Sequence, residues 1–210
     1  KGGMRPDSGP ERDRSVVHLY WKDDQCTVYL DTSGEPLSRR GYRKIPLGAP
    51  MQEPLAAAVV LAMGWDGSNS FINPMCGSGT LAIEAALIGL NRAPGLLRTN
   101  FGFMHLKGFN EALWSDLREQ AKKEAKKSMT GRIIATDVSA QAVEAAKKSA
   151  ETAGVAHQIE FSVCNFSDTP VPEGGGMIVM NPEYGERKGE VRKLEGVYKD
   201  IGDHFKQKCR

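Results

Sequence analysis

The sequence predicts an α/β fold, with a doubly wound and mostly parallel sheet that follows an N-terminal β-hairpin. From residue 70 onwards, short apolar runs alternate with longer helical segments, as in successive β-α-β units. Several of these runs end abruptly in polar residues and glycines, which is typical of strand ends. Before them, the β-rich runs "VVHLY" and "CTVYLD" are separated only by "WKDDQ", which predicts the hairpin at residues 16–31.

The helices and strands are placed by their apolar periods and their end signals. The predicted strands of the sheet are the segments "SFINP", "RIIATD", "IEFSVCN" and "GMIVMNP". The predicted helices are "MQEPLAAAVVLAMGW", "TLAIEAALIGL", "NEALWSDLREQAKKEAKK", "SAQAVEAAKKSAETAG" and "EVRKLEGVYKDIGDHFKQKC". Asn110 is the expected N-cap of the third helix, and Ser139 stands near the start of the fourth. Gly64 and Gly154 fit the ends of the first and fourth helices.

The composition is ordinary for a soluble globular protein, and it excludes several classes. Of 210 residues, 40% are hydrophobic and 26% are charged, and the formal net charge is +2, so charge alone does not indicate a nucleic-acid partner. No apolar run approaches the roughly 20 residues that cross a bilayer, and residues 1–14 lack the apolar core of a signal peptide. The cysteines are scattered, with no CxxC pair, so we expect reduced thiols in a cytoplasmic protein and no metal site.

The segment "NPMCGSGT", residues 73–80, leaves the first predicted strand and enters a helix. Gly77 and Gly79 permit a tight turn, and the free N–H groups at the start of a helix favour an anionic group. The segment lacks the GK[ST] ending of a P-loop and the third glycine of a dinucleotide site. A glycine-rich turn without a ligand is the alternative interpretation.

Two further strand ends carry side chains suited to a nucleoside. Asp137, followed by Val138, ends the second strand, where a carboxylate can accept both hydroxyls of a ribose. The intervening segment 91–130 disfavours NAD, for which the acid follows the glycines by about 20 residues, but not another adenosine cofactor. Asn165 and Phe166 follow the third strand and suit the edge and the face of an adenine. The alternatives are that Asp137 only caps a helix and that Phe166 belongs to the core.

The fourth predicted strand ends in "NPEYG", residues 181–185. The side chain of Asn181 and the backbone of Pro182 offer two carbonyl oxygens, which together can hold the two hydrogens of a planar amino group. Holding them favours a tetrahedral nitrogen whose lone pair points at an electrophile, so catalysis would rest on orientation and electrostatics. Tyr184 offers a flat face on which a base can stack, worth about 1–3 kcal/mol. A simple strand-ending turn is the alternative.

These motifs together resemble a known family. "NPMCGSGT" with "NPEYG" is similar to the class I S-adenosylmethionine-dependent amino-methyltransferases, a Rossmann-like fold whose fourth motif is usually N-P-P-Y. The series "DTSGEPLSRRGYRK", "APMQEPLAAA" and "NPMCGSGTLAIEAALIGLNRAPG" is more specific. It resembles the bacterial THUMP-domain RNA methyltransferases that make N2-methylguanosine in 23S rRNA, with relatives acting on tRNA. The resemblance covers residues 15–210.

The resemblance implies S-adenosyl-L-methionine as the cofactor and RNA as the partner, rRNA before tRNA, with no membrane. The implied catalytic residues, which would hold a flipped guanine, are Asn181, Pro182 and Tyr184. The implied cofactor-binding residues are Asn73, Pro74, Met75, Cys76, Gly77, Ser78, Gly79, Thr80, Asp137, Val138, Asn165, Phe166 and Asn181. The basic loop before the catalytic domain supplies the expected RNA contacts, which are Arg39, Arg40, Arg43 and Lys44.

The same resemblance divides the chain. Residues 1–14 are predicted to be a flexible start, and residues 15–48 a junction hairpin and basic loop from the end of an absent RNA-binding module. Residues 49–210 are predicted to be the methyltransferase domain, which we expect to be incomplete because four core strands are visible where the fold usually has seven. The glycine-punctuated segment 91–109 is a candidate substrate loop, with disorder or core packing as the alternative.

Three positions depart from the family pattern. Asn73 and Asn165 stand where the family usually has Asp, which weakens the expected attraction to the cationic end and the adenine amine of the cofactor. Glu183 replaces the usual second proline of N-P-P-Y and adds a negative charge beside an RNA pocket.

Three other functions stay open: an adenine-N6 methyltransferase on DNA or RNA, a glutamine-N5 protein methyltransferase, which "RRGYRK" disfavours, and a cofactor- or RNA-binding module without activity.

Overall fold

The computed structural model describes residues 14–45, 50–182 and 188–208. Its strands are β1 (Val16–Lys22), β2 (Gln25–Asp31), β3 (Ser70–Asn73), β4 (Ile133–Asp137), β5 (Ile159–Val163) and β6 (Gly176–Ile178). Its helices are α1 (Glu53–Ala62), α2 (Thr80–Gly89), α3 (Glu111–Glu124), α4 (Ala140–Ala153) and α5 (Lys188–Lys208). The predicted order of strands and helices is confirmed. None of the helices in these ranges combines the length and the apolar character that a membrane span requires.

Two compact units divide the chain. Residues 1–41 and 91–126 form the first unit, and residues 42–90 and 127–210 form the second. The second unit holds a four-stranded sheet in the order β5-β4-β3-β6, in which every neighbouring pair is parallel. The predicted parallel sheet is therefore confirmed, and all four strands end at the same edge.

The core of the second unit lies around β3, β4 and α2. Phe71 and Ile133, register partners on neighbouring strands, are both fully buried. Helix α2 is buried nearly all round, as expected for a helix that is apolar on every side. Trp65 joins this core: its ring lies 5.2 Å from that of Phe71, and its Nε1 donates a hydrogen bond of 2.9 Å to the carbonyl of Ala85. The core therefore fixes the strand and the helix that flank the segment 73–80.

Helix α4 packs a stripe of small residues against the same core. Its N-cap is Ser139, whose side chain accepts a hydrogen bond from the N–H of Ala142, and it ends at Gly154, with φ of 70°. Ala146 comes so close to the turn that a Cβ placed on Gly79 would lie 2.8 Å from its methyl group. Gly79 also has φ of 78°, so this position requires glycine for both space and backbone conformation.

The first unit contains the antiparallel hairpin of β1 and β2, helix α3 and the segment 91–109. The predicted N-cap of α3 is confirmed, because the side chain of Asn110 accepts a hydrogen bond of 3.0 Å from the N–H of Leu113. Within 91–109, the ring of Phe103 packs at 5.3 Å on that of Phe101 and at 5.0 Å on that of Trp114. The segment therefore contains an ordered aromatic cluster, which favours the packing interpretation over disorder.

Candidate functional site at the carboxyl edge of the sheet

The backbone N–H groups of the turn between β3 and α2 donate hydrogen bonds to the end of β4. The N–H of Cys76 donates to the carbonyl of Thr136 at 2.9 Å, and the N–H of Gly77 donates to Oδ2 of Asp137 at 2.9 Å. Met75, Gly77 and Gly79 all have positive φ, which coils the chain tightly before α2 begins. The sequence motif thus forms a compact loop at the carboxyl edge, as predicted.

Asp137 connects three parts of this edge. Its Oδ2 accepts from the N–H of Gly77, its Oδ1 accepts from the N–H of Ser139 at 2.9 Å, and its backbone carbonyl accepts from the N–H of Cys164 at 3.1 Å. Asp137 is half-buried, and each oxygen of its carboxylate has a second lone pair that these bonds do not use. Asp137 therefore organises the turn and the start of α4 as well as offering acceptors to a ligand. Val138, beside it, is 76% exposed.

Asn73 is fully buried at the end of β3. Its Nδ2 donates a hydrogen bond of 2.8 Å to the carbonyl of Val179, just after β6. Its Oδ1 is buried and has no hydrogen-bond partner among the described residues. Buried amide oxygens are normally paired, so this acceptor has capacity for a donor that the described residues do not supply.

Cys76 is buried within the turn. Burial, with the negative charge of Asp137 adding to it, raises the pKa of its thiol to about 12. A thiol with this pKa is neutral at physiological pH, so Cys76 contributes packing rather than a nucleophile. None of the described His, Cys, Asp and Glu side chains form a cluster that could hold a metal ion.

Asn165 and Phe166, which follow β5 after Cys164, occupy the same edge. The oxygen Oδ1 of Asn165 accepts from the N–H and the hydroxyl of Ser167, each at 3.2 Å, and so caps a short turn. Phe166 is half-buried, and its ring meets that of His204 edge-on at 5.8 Å. Sequence reasoning missed His204 because no motif in α5 pointed to it. It also missed the buried pair of Thr136 and Thr169, whose hydroxyls lie 2.6 Å apart.

The segment after β6 is described only in part. Its approach to the edge is fixed by the sheet, since the N–H of Val179 donates at 2.9 Å to the carbonyl of Ile72. Asn181 is exposed and Pro182 is half-buried. Tyr184 and Glu183, together with Gly185, lie outside the described residues, so the predicted stacking face and the unexplained acid stay predictions.

The four basic residues of the predicted RNA cluster have different surroundings. The side chain of Arg39 is 74% exposed, and its Nη1 lies 3.3 Å from the carboxylate of Glu35. Lys44 is exposed and Arg40 is half-buried. Arg43 is different, because only 20% of its side chain is exposed and its guanidinium bonds to other protein groups.

Comparisons with known proteins agree with this geometry. The sequence model of one family, UPF0020, described as the RMKL-like methyltransferase domain, matches residues 40–210. A relative from Psychromonas ingrahamii, named ribosomal RNA large subunit methyltransferase K/L, is 43% identical over 191 residues, which is 89% of this chain and 25% of the relative. A relative of the same name from Shewanella woodyi is 40% identical over 194 residues, which is 90% of this chain and 27% of the relative. The chain thus spans about a quarter of the length of these curated relatives.

Solved structures give the same picture of the fold. SMU.472, a protein provisionally assigned as a methyltransferase and crystallised with SAH, matches with a TM-score of 0.84 and 33% identity, over 96% of this chain and 52% of that one. A predicted N6-adenine-specific DNA methylase from Listeria monocytogenes matches with a TM-score of 0.81 and 35% identity, over 91% of this chain and 50% of that one. The fold predicted from the alternating strands and helices is therefore confirmed.

Proposed function

The chain belongs to the RMKL-like methyltransferase domain family, and from this premise we propose that it is part of an RNA methyltransferase. The reaction is the transfer of a methyl group from S-adenosyl-L-methionine to the exocyclic N2 of a guanine in 23S rRNA, in the cytoplasm. The names of the two relatives, which refer to large-subunit ribosomal RNA, support this substrate.

One observation carries the proposal: four chemically distinct segments converge on the carboxyl edge of a parallel sheet. They are the turn 73–80, Asp137, the pair Asn165 and Phe166, and the segment that begins at Asn181. Ligands of open α/β sheets bind at this edge. The turn suits the charged amino-acid end of the cofactor, Asp137 suits its ribose, and Asn165 with Phe166 suits its adenine. The amide of Asn181 suits the amino group of a base.

The residues present fit the cofactor. The buried Oδ1 of Asn73, which has no partner in the part of the chain that the structure describes, suits an ammonium group. The oxygens of Asp137 can accept ribose hydroxyls beyond their bonds to backbone N–H groups. The side chain of Asn165 and the ring of Phe166 would flank the adenine, and His204 supports that ring. When bound, S-adenosylmethionine supplies an electrophilic methyl group on a sulfonium.

The base side of the site is assigned to the segment after β6. Asn181 is exposed and is therefore free to receive a base, and its amide oxygen with the carbonyl of Pro182 would hold the two hydrogens of the guanine amino group. Tyr184 would stack on the base. The protein thus orients the nucleophilic nitrogen, and no tuned general base is needed.

The RNA-binding side extends beyond this site. Arg39, Arg40 and Lys44 are proposed phosphate contacts, since Arg39 and Lys44 are exposed and all three carry positive charge. The same proposal includes domain boundaries after residues 14 and 48. It also includes a preceding THUMP-type module that binds structured RNA. The segment 91–109 is proposed to be a substrate loop.

The test is product identification with the full-length protein. We expect labelled S-adenosylmethionine and unmethylated 23S rRNA to give N2-methylguanosine after digestion to nucleosides. Asn181→Ala should lower turnover at least about 100-fold and should weaken S-adenosylhomocysteine binding far less, because its main proposed role is to hold the base. Asn69→Ala, an exposed amide at the opposite edge of the sheet, is the matched control and should leave both unchanged. N6-methyladenosine as the sole product would overturn the proposal.

A second candidate function has one specific observation in its favour. The Listeria structure, at 35% identity, carries the description of a predicted N6-adenine-specific DNA methylase. An adenine N6 is also an aromatic amino group and would fit the same pair of oxygens. Parallel assays with duplex DNA and rRNA separate the two candidates by the nucleoside that becomes methylated.

A further inference from the structure

A buried polar cluster lies beneath the first turns of α1 and α2. Two adjacent residues, Tyr42 and Arg43, reach two side chains that are one turn apart on α2. The hydroxyl of Tyr42 donates to Oε1 of Glu84 at 2.9 Å, and Nη2 of Arg43 donates to Oγ1 of Thr80 at 3.0 Å. Because Thr80 and Glu84 lie four positions apart, they face the same side of the helix. Two adjacent residues therefore hold the first two turns of α2 by hydrogen bonds.

Arg43 also ties the start of α1 into this cluster. Its Nη2 donates to the carbonyl of Met51 at 2.8 Å, and its Nη1 lies 3.7 Å from Oε2 of Glu53, the first residue of α1. Glu53 is buried, with only 7% of its side chain exposed. A desolvated charge pair persists only when hydrogen bonds complete its geometry, and the planar fork of a guanidinium reaches several acceptors at once. A lysine has a single nitrogen on a shorter stem, so it cannot reproduce the two separate nitrogens that meet these partners.

The position of Thr80 gives this arrangement a consequence for the cofactor. Thr80 is the last residue of the turn 73–80 and the first residue of α2, so a change in its position moves the turn. The contrast with Arg39 is direct, since the side chain of Arg39 is 74% exposed and that of Arg43 is 20% exposed. A positive charge already engaged by Glu53 and backbone is poorly placed to neutralise a phosphate.

We infer that Arg43 is a positioning residue for the cofactor turn and not an RNA contact. It holds Thr80, and with it the start of α2, against α1, while Tyr42 secures the next turn through Glu84. This inference rests on the proposed function, and it removes one residue from the basic cluster that the sequence suggested. It also explains why a tyrosine and an arginine stand side by side there, because each meets one turn of the same helix.

Two binding measurements on the full-length protein test the inference. Calorimetry gives the affinity for S-adenosylhomocysteine, and RNA binding at several salt concentrations gives the salt slope, which falls by about 0.9 for each lost phosphate contact in a duplex. For both Arg43→Lys and Arg43→Gln we expect the affinity for S-adenosylhomocysteine to fall about tenfold or more. The salt slope for RNA should stay that of the wild type. Arg39→Gln, the matched exposed control, should show the reverse.

The lysine variant is decisive because it keeps the charge. An RNA phosphate contact would survive Arg43→Lys, whereas the fork that joins Met51, Glu53 and Thr80 would not. Wild-type affinity for S-adenosylhomocysteine in Arg43→Lys would overturn the inference, as would a reduced salt slope in Arg43→Gln. If Arg43→Gln does not fold, the lysine variant alone decides. Failure of the wild type to bind S-adenosylhomocysteine would instead remove the proposed function on which the inference rests.

Discussion

The side-chain amide of Asn73 links the end of β3 to Val179, just beyond β6, through a hydrogen bond of 2.8 Å from Nδ2 to the carbonyl. Only a donor can make this bond, and an ionised carboxylate has none. The resemblance described above led us to expect Asp at this position, so the structure gives the departure a physical role: the amide ties the turn 73–80 to the segment that leads into Asn181. It does so while leaving Oδ1 as an acceptor.

The first prediction is that Asn73→Asp destabilises this protein although it restores the family residue. At neutral pH the carboxylate would lie against the carbonyl of Val179 in a fully buried position, so the free energy of unfolding should fall by about 1–3 kcal/mol. Urea denaturation measures this change. Asn69→Asp, an exposed position just before the same strand, is the control and should have little effect. Undiminished stability of Asn73→Asp would show that the amide bond is dispensable.

The second prediction concerns Asp137→Asn. Each carboxylate oxygen accepts a hydrogen bond from one backbone N–H, of Gly77 or of Ser139, and an amide can replace only one of these acceptors. We expect the affinity for S-adenosylhomocysteine to fall by about tenfold or more, measured by calorimetry, with a loss of about 1–2 kcal/mol in stability.

The control for this change is Asp168→Asn, an exposed acid after β5. It alters the net charge by the same amount and should leave the affinity nearly unchanged. Similar losses in both variants would mean that Asp137 acts only through the overall charge of the edge, and its assignment to the ribose would fail.

The sequence predicted this edge well because its signals are local. Glycines after an apolar run specify the turn, and a serine before a helical pattern specifies the start of α4. The contact between Asn73 and Val179 joins positions 106 apart, and that between Tyr42 and Glu84 joins positions 42 apart, so no local pattern reveals them. Glu84, the only acid in the otherwise apolar helix "TLAIEAALIGL", was the one local sign that this helix has a buried polar partner.

Arg43 shows the limit of reading charge from sequence. Within "RRGYRK" the four basic residues look alike, and only the folded chain separates the exposed Arg39 from the largely covered guanidinium of Arg43. The segment 91–109 gives a similar lesson, because Phe101 and Phe103 pack on Trp114 of a later helix, and no local pattern announces that contact. Burial depends on partners that are distant in sequence.

The third prediction is that Tyr42→Phe destabilises the protein and also changes its response to alkali. Losing the hydroxyl deprives the buried carboxylate of Glu84 of one donor, which should cost about 1–3 kcal/mol at pH 7. Burial and the nearby charge of Glu84 raise the pKa of Tyr42 far above its usual range. The unfolded chain therefore releases this proton from about pH 10 upwards while the folded chain keeps it, so folding stability falls as the pH rises.

Phenylalanine has no such proton, so the stability difference between wild type and Tyr42→Phe should shrink above about pH 10. Denaturation series at pH 7, 9 and 11 measure this difference. Tyr29→Phe, at a tyrosine that is 54% exposed, is the control. A difference that stays constant across the series would contradict the burial of the Tyr42 hydroxyl.

The fourth prediction is that two cysteines differ sharply in their reaction with iodoacetamide. The thiolate is the reactive form, and a pKa raised to about 12 leaves only about one thiol in ten thousand ionised at pH 8 for Cys76. Cys76 is also only 8% exposed, whereas Cys26 is exposed on the hairpin. Peptide mass spectrometry over time should therefore show rapid alkylation of Cys26 and protection of Cys76. In denaturant the protection of Cys76 should disappear, because burial is its main cause. Fast labelling of Cys76 in the native protein would contradict the prediction and show that the turn opens readily.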